Sequence, residues 1–294
     1  MDLLAVVPEH PAPDSHVRVE RLIRLPGGEV ATAVVACARL RCRTRYLGAI
    51  GSDAEGALVE SRLREEGIDV THVRRVDAPN RFAFILVDHA GHRTVIWHRD
   101  PRLDTLAETL DPAAVASGRV LLIDASDCSA SLAAARAARA AGVPVVLDID
   151  AFDSGAERLL RSVDVVIASR SFFAHYGDIG VGDALRRLRA EFRPSVAIVT
   201  LGEEGALALC GSAEIRCPAF AVPVVDSTGA GDAFRGGFIA SWIRFTDAPL
   251  EELLRHASAV AGLNCGALGA QTGLPDWSEV DVLVTAQPCA RSKD

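Results

Sequence analysis

From about residue 118 onward, short runs of β-branched apolar residues alternate with Ala- and Leu-rich stretches whose apolar positions recur at the helical period. This alternation is the strongest constraint on the fold, because strands separated by helices pair in parallel and need helices on the faces of their sheet. Strands covered on both faces are apolar throughout, as these runs are. The pattern predicts an α/β protein with a largely parallel sheet. The predicted strands are residues 120–124, 143–149, 163–168 and 196–200, and the predicted helices are residues 131–141, 156–161 and 183–192.

The first third of the chain follows a different pattern. It predicts a helix over residues 31–41, a strand over 45–50 and a helix that is capped by Asp53 and stops at Gly67. Two extended segments follow, residues 81–88 and 93–99, and they predict a hairpin that projects from the main sheet. There is no internal repeat or flexible linker. We therefore expect one domain over residues 1–294, with any smaller unit interleaved in it.

The net charge of the chain argues against some classes of binding partner. Lys and Arg number 31 and Asp and Glu number 39, which gives a net charge of −8. Such a chain repels phosphate backbones, so we expect no nucleic-acid partner. No stretch approaches the roughly 18 to 20 apolar residues of a membrane helix, and no secretion signal is present. These features predict a cytoplasmic protein with no membrane contact. The seven cysteines show no CxxC spacing, which favours small buried side chains over zinc or redox chemistry.

The segment from Val224 to Phe234, VVDSTGAGDAF, is the strongest chemical signal in the chain. The amides of Gly229, Ala230 and Gly231 can converge at the positive end of the following helix, where they would stabilise a negative charge. Asp232 at the same end could accept a proton from a substrate hydroxyl. The alternative is that Asp232 caps the helix and the glycines form a tight turn. The helix is predicted to be amphipathic, with an apolar stripe of Phe234, Phe238, Trp242 and Phe245.

The residues around this segment favour the functional interpretation. DSTGAGDAF resembles the second signature of the ribokinase-like (PfkB) carbohydrate kinases. Pro26-Gly27-Gly28 and the later residues 47–56 and 63–70 are similar to the first signature, and residues 199–206 are similar to the family's turn over the nucleotide. The resemblance spans about residues 2–275. Within the family, three segments, residues 11–15, 91–94 and 260–266, resemble those of ketohexokinase.

The resemblance implies a three-layer α/β/α fold and ATP-dependent phosphorylation of a hydroxymethyl group on a sugar or a sugar-like molecule. Asp232 would be the general base, and the amides of residues 229–231 would hold the transferring phosphoryl group. ATP and Mg²⁺ are the implied cofactors, and K⁺ binds near the anion hole in many members. For Ala259 and Gly262, close helix packing is an equally good explanation. The implied nucleotide-binding residues are Thr200, Gly202, Gly205, Thr228, Ala259, Gly262 and Asn264.

On the acceptor side, the resemblance implies a β lid formed by segments within about residues 8–25 and 81–99. Several relatives pair through this lid, so we expect a homodimer, and Phe82, Phe84 and Trp97 supply apolar surface for it. The implied substrate-binding residues are Asp2, Gly28, Glu29, Thr32, Arg99 and Asp232.

The chain departs from the family pattern at three places. Only Met1 precedes Asp2, so we expect the native chain to start upstream and to include about one more strand, without which the sheet has a gap or an unpaired edge. Thr32 replaces the usual Asn, and Glu29 adds a charge that favours a cationic or strongly hydrogen-bonding acceptor. Residues 169–172 read SRSF in place of Asn-x-x-Glu, which leaves the metal-coordinating residues unknown.

Several alternatives stay open at the level of sequence. Glu29 and Thr32 can equally be a solvated side chain and a helix-start residue, and Arg99 can be a solvated arginine near Asp100. A nucleoside kinase of the same fold is the second functional hypothesis. The third is a kinase-like protein that binds a sugar or a nucleotide without turnover. The identity of the acceptor is not determined, because the residues that would select it are the ones that differ.

Overall fold

A six-stranded sheet forms the centre of the computed structural model, which describes residues 1–90, 92–105, 107–153 and 155–287. Gly91 of the predicted hairpin loop and Cys289 lie outside the described residues. The strands are β1 (Asp2–Val7), β2 (Arg21–Leu25), β3 (Gly48–Gly51), β4 (Val73–Val76), β5 (Phe82–Asp88), β6 (Arg93–His98), β7 (Leu121–Asp124), β8 (Val145–Ile149), β9 (Val165–Ser169), β10 (Val196–Thr200), β11 (Ala206–Cys210) and β12 (Ala213–Cys217).

The helices alternate with the strands of the second half of the chain. The α-helices are α1 (Glu29–Arg39), α2 (Ala54–Glu65), α3 (Pro112–Ala116), α4 (Cys128–Ala140), α5 (Ala156–Leu160), α6 (Val181–Phe192), α7 (Ala230–Arg244), α8 (Leu250–Asn264) and α9 (Trp277–Ala286). The 3₁₀ turns are Pro101–Leu103, Ala107–Thr109, Arg170–Tyr176 and Gly202–Glu204.

The strand order of the large sheet is β12-β11-β10-β9-β8-β7, and β7 to β10 are parallel to one another. Strands β11 and β12 add an antiparallel edge. Successive residues of β8 enter opposite apolar clusters, with Val146 on one face and Leu147 on the other. Helices cover both faces, so the predicted α/β architecture with a largely parallel sheet is confirmed. The predicted strands in this part of the chain each match an observed strand to within about two residues at either end.

Helix α7 lies at the centre of one helical layer. It packs between α1 and α8, and its residues 233–241 are all buried. The prediction of an amphipathic helix with one apolar stripe is therefore wrong. A helix that is covered on several sides has no solvent face, and its small residues serve close packing.

A second, four-stranded sheet has the order β2-β1-β5-β6. Strand β1 is antiparallel to β2 and parallel to β5, and β5 and β6 form the hairpin predicted at residues 81–99. Strand β1, which carries Asp2, therefore lies between the two segments that are predicted to form the lid. Strands β3 and β4 form a small parallel sheet. Its first strand begins at Gly48 and not at Arg45, because Arg45 makes only an isolated bridge to Asp69.

Two smaller findings complete the fold. The Asp53 side chain accepts a hydrogen bond from the Gly56 amide and caps α2, as the sequence predicts. Within the described residues, none of the helices combines the length and the apolar character needed to cross a bilayer.

Gly236 sets the distance between α1 and α7. A Cβ at this position would lie 2.5 Å from the carbonyl oxygen of Ala33 and 2.7 Å from the Cβ of Ala36. The backbones of the two helices therefore approach more closely than any side chain would allow. This contact fixes the first turn of α1, which carries Glu29, relative to the first turn of α7, which carries Asp232.

We expect Gly236→Ala to lower the free energy of unfolding by about 1–3 kcal/mol, because the added methyl group has no space between α1 and α7. Thermal or urea unfolding measures this change. Gly182→Ala is the matched control: it lies in α6, and the nearest atom to a new Cβ is the flexible end of Arg186 at 3.5 Å. The control should leave stability unchanged or raise it. Equal effects of the two substitutions would contradict the proposed spacing role.

Candidate active site

The segment before α7 is held by side chains that bond to its backbone. The buried Asp226 carboxylate accepts hydrogen bonds from the amide and hydroxyl of Thr228, at 2.9 and 2.7 Å, and from the amide of Gly269, at 2.8 Å. The Nδ2 of Asn264 donates to the carbonyl oxygens of Ala270, at 2.9 Å, and of Thr228, at 3.4 Å. These bonds fix the loop whose amides face the start of α7.

The glycines of this segment are required by their surroundings. Gly229 precedes α7 with a φ of 74°, in the left-handed region, and a Cβ there would lie 2.7 Å from both the Cβ and the carbonyl oxygen of Ala270. At Gly231, a Cβ would lie 2.8 Å from the Nη1 of Arg235. The amide of Ala230 already donates to the carbonyl of Ser227 at 3.2 Å. A bound anion would thus meet the first-turn amides of α7, and the Ala230 amide would be shared between that anion and the Ser227 carbonyl.

Asp232 is the third residue of α7 and does not cap it. The residue at the helix start is Gly229, with no side-chain capping bond. Asp232 accepts a hydrogen bond from Arg235 Nη1 at 3.2 Å. Burial raises the pKa of Asp232 to about 7; Arg235 opposes this rise, and the nearby Glu29, Asp150 and Asp2 carboxylates reinforce it. The carboxylate therefore titrates in the range in which a general base is effective.

Arg235 is a site residue that the sequence analysis missed. Its side chain is only 2% exposed and lies one turn after Asp232 on α7. The guanidinium Nη2 pairs with Asp148 Oδ1 at 2.5 Å and with Asp150 Oδ1 at 2.8 Å. Burial raises the pKa of Asp148 well above its usual range. The available signal was a charged residue three positions after Asp232 in an otherwise apolar, glycine-containing segment.

Asp2 and Glu29 are brought to the same place as Asp232. A Cβ on Gly27 would lie 1.9 Å from an oxygen of Asp2, so this carboxylate rests on the Gly27 backbone. Glu29 begins α1, directly after Gly28, whose φ is 103°. Asp2 is buried, whereas the Glu29 side chain is exposed to solvent over part of its surface; desolvation raises the pKa of both carboxyl groups, and other carboxylates raise each further. A surplus of acidic groups therefore surrounds Asp232.

Thr32 and Arg99 are not presented to this place. Thr32 is fully buried, and its hydroxyl accepts a hydrogen bond from Gln271 Nε2 at 3.2 Å. The Arg99 guanidinium donates to the carbonyl of Ser126 at 2.8 Å and pairs with Asp104 at 2.6 Å and with Asp127. Both side chains are thus engaged by other residues of the protein, and a role for either in substrate binding stays a prediction. The alternative of a solvated Arg99 beside Asp100 is not observed either, since Asp100 pairs with Arg102.

The predicted nucleotide residues fall into two groups. Thr200 ends β10, and Gly202 and Gly205 flank the exposed turn that follows it. Gly205 has a φ of 90°, and its Cβ would lie 2.0 Å from the carbonyl of Cys217, so the turn requires glycine. Ala259 is fully buried in the core, and Asn264 is fully buried with its amide on the backbone. For Ala259, helix packing explains the residue.

The described residues provide no complete metal site. Among them, no three side chains of His, Cys, Asp or Glu lie together in a way that could hold an ion. In the segment that replaces Asn-x-x-Glu, the hydroxyls of Ser169 and Ser171 bond to each other at 2.7 Å, and Ser171 also donates to the carbonyl of Asp150. Magnesium in nucleotide sites is held largely by phosphates and water, so a protein cage is not required.

Comparisons with known proteins identify the family of this chain. Residues 1–277 match the family model described as pfkB family carbohydrate kinase. The nucleoside kinase of Methanothermobacter thermautotrophicus is 29% identical over 300 residues, which cover 97% of this chain and 93% of the relative. The fructokinase of Klebsiella pneumoniae is 30% identical over 278 residues, which cover 87% and 90%.

A solved structure extends the comparison to three dimensions. The Xylella fastidiosa fructokinase with bound ATP superimposes with a TM-score of 0.82 at 26% identity, and the match covers 97% of this chain and 95% of that one. The three-layer α/β/α architecture is therefore that of the ribokinase-like enzymes. From its motifs, its fold and these similarities, the chain belongs to the pfkB family of carbohydrate kinases.

Proposed function

We propose that the protein transfers the γ-phosphoryl group of ATP to a hydroxymethyl group of a sugar or sugar-like acceptor, with Asp232 as the general base. The observation that carries this proposal is the geometry around Asp232. A carboxylate with a pKa of about 7 stands in the first turn of α7, beside amides that face a developing negative charge.

The transfer follows from these residues. Asp232 accepts the proton of the acceptor hydroxyl while that oxygen bonds to the γ-phosphorus and the bond to the β-γ bridging oxygen of ATP breaks, which releases ADP. The first-turn amides and the dipole of α7 stabilise the charge on the transferring group. Magnesium, when bound with ATP, would neutralise further phosphate charge. No covalent intermediate with the protein is needed.

Asp2 and Glu29 supply the acceptor side of the site. Both carboxylates lie near the base and can accept hydrogen bonds from neighbouring hydroxyl groups of the acceptor. Their negative charge disfavours an anionic group at this position. We therefore expect a polyhydroxy acceptor that is neutral or cationic, acted on in the cytoplasm with no nucleic-acid partner.

A nucleoside kinase is the second candidate, and the similarity to the nucleoside kinase of Methanothermobacter favours it. Nucleosides offer the same hydroxymethyl group and vicinal hydroxyls as sugars do. ADP release from Mg-ATP, measured against ketoses, aldoses, amino sugars and nucleosides, separates the two. A base that lies at the acceptor position argues against a binding protein without turnover.

We expect Asp232→Asn to lower kcat by about 10²- to 10⁴-fold, because the amide cannot accept the hydroxyl proton. The variant should remain folded, with a thermal midpoint no lower than that of the unchanged protein, and its ATP binding should stay the same. Asp281→Asn, at an exposed position of α9, is the matched control and should retain full turnover. Substantial turnover by Asp232→Asn would remove Asp232 as the base.

The raised pKa of Asp232 also makes a prediction for stability. The folded state holds this proton up to a pH of about 7, whereas the unfolded state releases it near the ordinary value of 3.8. Between these values the folded state binds more protons, so this group lowers the free energy of unfolding as pH rises. The asparagine variant lacks this titration.

Asp232→Asn should therefore gain stability relative to the unchanged protein as pH rises from about 4 to 7, with no further gain above pH 7. Urea unfolding of both proteins at a series of pH values measures the difference. A difference that does not vary with pH would show that Asp232 is not buried with a raised pKa.

The four-stranded sheet supports a proposed homodimer. Its edge strand β6 is exposed along its whole length, with Ile96 57% and Trp97 72% exposed. An unpaired edge strand that carries large apolar side chains favours association with another chain. A second copy of this sheet would cover the same side chains on both partners.

Trp97→Glu should convert the dimer to a monomer, because it places a charge in the apolar contact. Light scattering coupled to size-exclusion chromatography measures the mass in solution. Val282→Glu on α9, where the side chain is 70% exposed, is the control and should leave the mass unchanged. A monomeric unchanged protein, or a dimeric Trp97→Glu protein, would rule out this interface.

A further inference from the structure

Arg235 and its partner Asp148 each have a charged side chain that is only 2% exposed. A guanidinium removed from water is costly unless acidic partners and hydrogen bonds compensate for it. It is placed inside the fold at the point where the first turn of α7 meets the end of β8. The contacts of the guanidinium explain this placement.

The two terminal nitrogens of the guanidinium point to different elements. Nη1 contacts Asp232 Oδ1 at 3.2 Å, within the same helix. Nη2 contacts Asp148 Oδ1 at 2.5 Å and Asp150 Oδ1 at 2.8 Å, at the carboxyl end of β8. The other oxygen of Asp148 is buried with no hydrogen-bond partner among the described residues, so Arg235 alone compensates its charge. The planar fork thus ties the base to the central sheet.

Gly231 shows how closely the guanidinium approaches the reacting groups. A Cβ on Gly231 would lie 2.8 Å from Nη1, so the guanidinium lies directly against the turn whose amides face the anion. A fixed positive charge is therefore present beneath the first turn of α7, on the protein side. The acceptor and the nucleotide would approach from the other side.

Within the described residues, the groups that oppose Arg235 in its effect on Asp232 are carboxylates. They are Glu29 from α1, Asp2 from β1, and Asp148 and Asp150 from the end of β8. Each of these carboxylates favours the protonated form of Asp232, and Arg235 is the group that opposes them. Without it, the base would be surrounded by like charge.

We propose that Arg235 is a positioning residue for phosphoryl transfer, which keeps the Asp232 carboxylate ionised and fixed in orientation toward the acceptor hydroxyl. This inference rests on the proposed function, since it assumes that Asp232 is the base. It adds a role for an arginine that contacts neither substrate. The role requires both the charge and the fork of the side chain.

The test compares four variants by the pH dependence of kcat/KM. Asp148→Asn/Arg235→Met removes the arginine without leaving Asp148 as an unpaired buried charge. Relative to Asp148→Asn, which shares the loss of the Asp148 charge, it should move the acidic limb upward by at least about one pH unit and lower turnover at pH 7 by about fivefold or more. Arg235→Lys keeps the charge but cannot contact both Asp232 and Asp148. The acidic limb of its pH profile should therefore lie between those of the unchanged enzyme and the double variant. The KM for ATP should change less than about twofold, since Arg235 does not contact the nucleotide.

Arg244→Met removes an exposed arginine from the same helix and should leave the pH profile unchanged. An unmoved acidic limb in the folded double variant overturns the inference. If the double variant does not fold, an unmoved limb in Arg235→Lys overturns it equally. Each result is interpreted against the unchanged enzyme and Asp232→Asn.

A second measurement separates this inference from the proposed function. The carboxyl ¹³C shift of Asp232 can be titrated in the unchanged protein and in the double variant without any turnover. A higher midpoint in the variant supports the role of Arg235 even if no acceptor is found. Equal midpoints overturn it even if the kinase activity is established.

Discussion

The arrangement of the site depends on the ion pairs between Arg235 and the carboxylates of Asp148, Asp150 and Asp232. Four charged side chains at the junction of a helix and a sheet are tolerated only because each has an opposite charge in contact. This network determines where α7 begins relative to β8. The network also requires glycine at position 231, because the Arg235 guanidinium occupies the space that a side chain there would need.

Periodicity predicted the large sheet well because the buried strands are short, apolar on both faces and separated by helices of regular pattern. It failed at α7, whose apolar residues at 234, 238, 242 and 245 suggested a single face. The helix is covered on several sides, and glycine carries no signal that distinguishes a packed surface from an exposed one. Periodicity also could not show that β1 joins the smaller sheet, because the pairing partners of a strand are set by tertiary contacts.

For the site, the local motif predicted roles for Gly229 and Asp232, and these proposed roles depend on adjacent residues. The protein contacts of Thr32 and Arg99 could not be predicted because their partners are distant in the chain: Gln271 is 239 residues from Thr32. Arg235 was missed for the same reason, since its partner Asp150 is 85 residues away. A sequence shows which residues can do chemistry, whereas contacts across the fold decide which of them are already committed to another residue.

The glycines of α7 have a consequence for the order in which the protein folds. Gly231, Gly236 and Gly237 face Arg235, α1 and α8, and each lowers the intrinsic helix preference by about 1 kcal/mol relative to alanine. The helix is therefore stabilised by its neighbours and not by its own sequence. Because α1 and α8 are separated by more than 200 residues, the helix that carries Asp232 forms only when both ends of the chain have come together. A partly folded chain would have no structured helix to hold Asp232.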